Sequence, residues 1–108
     1  MFGLFSRDQL YENLTGPAFR QKFSESRHAV LVDVRTPGEH RSGTIPGAVN
    51  IDYMSPNFKT EFLKLPKDRP YFLFCRSGNR SAHACALLAK EGYEVYNLKG
   101  GIVAWPYN

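Results

Sequence analysis

Two short apolar runs stand out along the chain: Ala29-Val30-Leu31-Val32-Asp33-Val34 and Tyr71-Phe72-Leu73-Phe74. Unbroken apolar runs of this length are what strands of a parallel sheet look like when both faces are covered. Both therefore read as central strands. Ala48-Val49-Asn50-Ile51 and Glu94-Val95-Tyr96-Asn97-Leu98 alternate more, which predicts neighbouring strands with one less protected face. A shorter pattern near Tyr11 to Leu14 predicts a first strand.

Helix signals lie between these runs. Pro17 suits a first helical position, and Phe19 and Phe23, four apart, supply an apolar stripe. Thr36-Pro37-Gly38-Glu39 has the form of a capping box, with Thr36 as cap and Glu39 reaching back to its amide, and Gly43 ends the short helix it opens. Ile45-Pro46-Gly47 reads as a turn into the Ala48 strand. Ser55-Pro56 repeats the cap-then-proline start, with Phe58, Phe62 and Leu65 as the buried stripe. Ser81 to Glu91 is rich in Ala and Leu, and Gly92 stops it. Strand and helix patterns alternating in this order predict a three-layer α/β domain with a parallel sheet.

A length of 108 residues bounds the chain at a single domain over 1–108 and excludes a second catalytic one. No apolar run approaches the roughly 18 residues of a membrane span. The start, Met1 to Asp8, lacks the pattern of a secretory signal, so the chain reads as cytoplasmic with no membrane partner. The net charge is +4, but the basic residues are scattered and none forms a run interleaved with aromatics. The balance therefore favours small anions over nucleic acid. Two cysteines, Cys75 and Cys85, offer no metal set, and in a cytosolic chain both are expected as thiols. His28, His40 and His83 are too dispersed to make a metal site or a general base and read as surface residues. No cofactor is implied.

The segment Cys75-Arg76-Ser77-Gly78-Asn79-Arg80-Ser81 joins a buried strand to a helix through a small polar loop. Ligands of open α/β sheets bind at the carboxyl ends of strands, and here that end carries a cysteine followed by the free amides of a helix start. A loop curled around Cys75 aims the amides of Arg76 to Ser81 at the sulfur as an anion-holding nest, with Gly78 supplying a positive φ. Amides, helix dipole and the two arginines all favour thiolate, the form in which cysteine is a nucleophile. Cys85 shares a helical stripe with Ser81, Ala84 and Leu88 and reads as a packed core thiol; a regulatory disulfide with Cys75 is the alternative. Trp105 reads as an aromatic sealing the bottom of the core, and Gly100-Gly101 as a tight loop after the last strand.

Four stretches in this order resemble the rhodanese-like sulfurtransferase family over nearly the whole chain. They are Leu31-Val32-Asp33-Val34-Arg35 with Glu39 following, Gly43 to Ile51, Cys75 to Ser81, and Leu98 to Trp105. The resemblance implies a five-strand parallel sheet flanked by helices. It also implies that Cys75 takes sulfane sulfur as a persulfide from a small anionic donor such as thiosulfate. The sulfur then passes to cyanide or a thiol, which can belong to a protein. The chain departs from the family in carrying His40 where an aromatic often follows the glutamate, and Thr44 where a histidine often precedes the Ile-Pro-Gly turn. Asp33 and Arg35 match the family's Asp-x-Arg pair and read as a structural ion pair or loop clasp, with Arg35 able to reach Glu39.

A cysteine-dependent phosphatase or arsenate reductase is the nearest chemical rival. Tyrosine-phosphatase-type loops place the arginine six positions after the cysteine for a bidentate clamp on phosphate, whereas here Arg80 comes five after Cys75. The shorter ring suits one added sulfur better than a phosphoryl group. A persulfide relay module acting only with a protein partner is a further alternative, since it needs the same thiolate.

Overall fold

The computed structural model describes residues 10–107, so the leading stretch from Met1 to Asp8 lies outside the described residues. Five strands, β1 (Glu12–Leu14), β2 (Val30–Asp33), β3 (Val49–Asn50), β4 (Tyr71–Phe74) and β5 (Val95–Leu98), form one sheet in the order β1-β5-β4-β2-β3. Every pairing is parallel. The helices are α1 (Gly16–Glu25), α2 (Pro37–Arg41), α3 (Phe58–Phe62) and α4 (Asn79–Lys90), and a 3₁₀ turn follows at Ile102–Ala104. None of them is long and apolar enough to cross a membrane.

Both central strands read from the sequence are central, and their unbroken apolar character has a direct cause: successive side chains enter two different cores. In β4, Tyr71 and Leu73, with Cys75 just beyond, join Val32, Phe62, Cys85 and Leu88 on the face covered by α3 and α4. Phe72 and Phe74 join Phe19, Leu31, Ile45 and Leu98 on the other. Edge-on aromatic contacts tie the layers together, Phe19 to Phe72 at 5.3 Å between centroids and Phe62 to Tyr93 at 5.1 Å.

Three expectations change. The β5 strand is buried at all four positions, because it lies between β1 and β4 and is covered on both faces. The helix expected from Ser55-Pro56 starts later, at Phe58. The Ser55 hydroxyl accepts from the Asn57 amide at 3.1 Å and its carbonyl from the Phe58 amide at 3.1 Å, so this segment is a turn and Pro56 lies inside it. Leu65 follows the helix, half-buried against the same core. Trp105 packs on Phe19, but the 3₁₀ turn before it hangs from the sheet end where Cys75 lies, through an Ile102 N–H to Cys75 carbonyl bond of 2.8 Å.

Candidate active site

Cys75 immediately follows β4 and is buried. Its Sγ accepts from the Gly78 amide at 3.1 Å, the Ser81 amide at 3.4 Å and the Ser81 hydroxyl at 3.3 Å. Burial pushes the thiol up. The Ser81 hydroxyl and the amides of Ser81, Gly78 and Ser77 outweigh it, and the net shift is downward, toward thiolate. The expected nest exists but is narrower than Arg76 to Ser81, because the Asn79 amide turns to the Ser77 hydroxyl at 3.4 Å. The Ser81 side chain is a donor that amide-based reasoning overlooked.

The loop holds its curl through two glycines. Gly78 sits at φ 97 as the cap of α4, a conformation open to glycine at little cost. A Cβ on Gly101 would lie 1.9 Å from the Arg76 carbonyl oxygen and 2.6 Å from the Ser77 nitrogen. The Gly100-Gly101 segment is therefore more than a tight loop: it is packed directly against the backbone of the cysteine loop. Asn97, buried in β5, adds a tether that the sequence did not disclose. Its Nδ2 donates to the Gly78 carbonyl at 3.2 Å and to Asn13 Oδ1 at 2.7 Å.

The charged residues pair differently from expectation. Arg35 does not reach Glu39. Its amide, Nε and Nη2 all donate to the Asp33 carboxylate at 2.7–3.0 Å, and Nη2 also reaches the Gly43 carbonyl. Asp33 is fully buried and accepts in addition from the Thr44 hydroxyl at 2.9 Å. Burial pushes its carboxyl up, but Arg35 first, then His40 and Thr44, hold it below its ordinary value. His40, expected at the surface, is half-buried with Nδ1 2.9 Å from Asp33, because α2 folds back over the end of β2. The clasp reading of Asp33 and Arg35 thus stands, with His40 and Thr44 as its added members.

Arg80, expected to face an anion, is occupied. Its Nη1 and Nη2 donate to the two Glu39 oxygens at 2.8 and 3.0 Å. Glu39 is in turn fixed by the α2 capping box, where it accepts from the Thr36 amide and hydroxyl at 3.1 Å each. Arg80 foremost, with Thr36 behind it, holds the Glu39 carboxyl down at about 2. Arg76 is exposed and, among the described residues, has no ion-pair partner. Cys85 is free and fully buried on α4; burial pushes its thiol well up and the charge of Cys75 pushes it further, so it is inert at ordinary pH.

Known proteins resemble this chain in sequence and in fold. The model of the Rhodanese-like domain matches residues 15–107. A sulfurtransferase of Allochromatium vinosum is 39% identical over 98 residues, which span 89% of each chain. The putative sulfurtransferase YtwF of Bacillus subtilis is 35% identical over 94 residues, 87% of this chain and 89% of that one. Among solved structures, a rhodanese-like domain protein from Staphylococcus aureus superposes with a TM-score of 0.76 at 30% identity, covering 88% of this chain and 91% of that one. These relatives support sulfur transfer by an enzyme of the rhodanese type. A five-strand parallel sheet, a cysteine at the end of its middle strand and a match over nearly the full described length all agree: the chain belongs to the rhodanese-like domain family.

Proposed function

We propose that this protein is a sulfurtransferase that moves sulfane sulfur from a small anionic donor such as thiosulfate to cyanide or a thiol through a persulfide on Cys75. The observation that carries the reading is the set of three donors on Cys75 Sγ, two amides and the Ser81 hydroxyl, all within 3.4 Å. The thiolate attacks the outer sulfur of thiosulfate. A Cys75 S–S bond forms, the S–S bond of thiosulfate breaks, and sulfite leaves with the electron pair. The acceptor then attacks the outer persulfide sulfur, and Cys75 departs as thiolate. No proton needs to move in either step when the acceptor is an anion, so the absence of a general acid from the loop is no obstacle. The amides and Ser81 stabilise whichever sulfur carries the charge, and Arg76 steers the anionic donor.

The ion pair of Arg80 with Glu39 favours sulfur over phosphate chemistry. A phosphatase arginine offers two N–H donors of its fork to phosphate oxygens, and here the fork already holds a carboxylate through Nη1 and Nη2. The test is intact mass after incubation with thiosulfate. One added sulfur per chain is expected, lost on addition of cyanide and absent from Cys75→Ser. Hydrolysis of an aryl phosphate with no mass gain would overturn the reading. Persulfide formation without transfer to cyanide or small thiols would favour a relay that serves a protein thiol alone.

A further inference from the structure

We propose that Glu39 is a positioning residue that sets the charge felt by the Cys75 sulfur, by withdrawing the Arg80 guanidinium from the loop into a neutral pair. The inference deepens the sulfurtransferase reading and rests on it for its consequences in turnover.

Arg80 stands in the first turn of α4, between Asn79 and the Ser81 that donates to Cys75, so an unpaired guanidinium here would add a full positive charge to the cradle. Glu39 prevents this with a bidentate alignment. Its two oxygens meet both Nη atoms, and its Oε1 is pinned by the Thr36 amide and hydroxyl at the start of α2. The pair is about one-third exposed on each side, 27% for Arg80 and 32% for Glu39. A bidentate clasp at that depth persists, while a loose surface pair would not.

Other charges nearby do not replace this control. Arg35 faces Glu39 and Arg80 from the end of β2 but is neutralised by Asp33, with His40 of α2 on the same carboxylate. Asp52, beyond β3, acts on Arg80 more weakly than Glu39 does. Arg76 is exposed to solvent. Cys85, behind the loop on α4, stays uncharged. The balance has a chemical use. A thiolate whose acidity is driven too far loses nucleophilicity as its pKa falls. Glu39 leaves the amides and the Ser81 hydroxyl to make the thiolate and withholds the additional charge that would blunt it.

The test compares Glu39→Gln, Glu39→Asp and the double variant Glu39→Gln/Arg80→Gln, reading the pH midpoint of Cys75 alkylation by iodoacetamide. Glu39→Gln keeps shape and cap while unbalancing the charge. Its midpoint is expected to fall by roughly half to one pH unit, as for one net charge added near a protein surface. The double variant, again neutral, returns the midpoint to the wild-type value, and Glu39→Asp stays close to it even if less stable. With thiosulfate at low salt, KM falls in Glu39→Gln as Arg80 becomes free to meet the anion. At pH values above both midpoints, where the thiolate fraction is full, the rate of persulfide formation at saturating donor falls by about threefold per unit of midpoint.

A merely structural clasp gives the opposite sign: loosening α2 from α4 misaligns the amides and raises the midpoint. An unchanged or raised midpoint in a folded Glu39→Gln protein, verified by circular dichroism, overturns the proposal, as does a double variant that fails to restore it. Alkylation needs no sulfur transfer. A protein that takes no sulfur from thiosulfate therefore refutes the proposed function while the Glu39 result still stands or falls on its own midpoint.

Discussion

Replacing Ser81 by Ala removes one of the three donors on Cys75 and little else, which makes it a sharp probe of the site. The Ser81 side chain is fully buried, and among the described residues its hydroxyl bonds Cys75 Sγ alone, at 3.3 Å; its backbone amide stays in place at 3.4 Å. A hydrogen bond to a charged group contributes about 1.5–3 kcal/mol. A long contact to a soft sulfur belongs at or just below the low end, about 1.4 kcal/mol, or about one pKa unit. The wild-type thiol titrates below its ordinary value, so Ser81→Ala moves the midpoint upward by about one unit and lowers the reactive fraction about tenfold at pH values below it.

The assay is the pH dependence of alkylation. The midpoint is the quantity to read, because the absolute rate also depends on access to the buried sulfur, and Cys85 stays silent. Stability supplies a second check through linkage. A folded pKa held below the unfolded one adds stability that is present above the unfolded value and is lost as pH falls through the folded value. Ser81→Ala should therefore cost stability mainly in alkaline solution and little in mild acid. An unchanged midpoint would refute the reasoning and assign the whole downward shift to the amides.

Three other outcomes follow from the same geometry. Gly101→Ala drives a Cβ into the Arg76 carbonyl at a residue with φ 80, so persulfide formation should collapse by far more than secondary structure does, measured by mass gain and circular dichroism on one preparation. Glu39, with its carboxyl at about 2 against an ordinary 4.5, contributes stability that is full above the ordinary value and is lost as pH falls toward 2; urea denaturation across this window should decline less steeply in Glu39→Gln than in wild type. Cys85→Ala should retain sulfur transfer and lose about 1–2 kcal/mol of stability from the small cavity it leaves, read from the urea midpoint.

Local features were legible from the chain alone because their causes are local. The β4 strand from Tyr71 to Phe74 follows from four apolar residues in a row, and the α2 capping box from the Thr36 to Glu39 spacing, and both are present as read. The Asp33 and Arg35 clasp spans two residues and needs only the end of one strand. The cysteine loop was recognisable because a strand end, a glycine and a helix start are contiguous, and that contiguity is what aims amides at sulfur.

Whatever depends on which distant segments meet was decided by the tertiary structure. The sheet order buries β5 between β1 and β4, and no pattern within Val95 to Leu98 carries that information. Folding brings Asn97 to the Gly78 carbonyl across 19 residues and Gly101 against Arg76, so the rigidity of the cradle comes from the far end of the chain. Above all, Arg80 carries the same charge in the sequence whether it faces a substrate or a carboxylate. Glu39, 41 residues earlier, reaches it only because α2 and α4 both begin at the carboxyl edge of the parallel sheet, which turns an apparent anion clamp into half of a neutral pair.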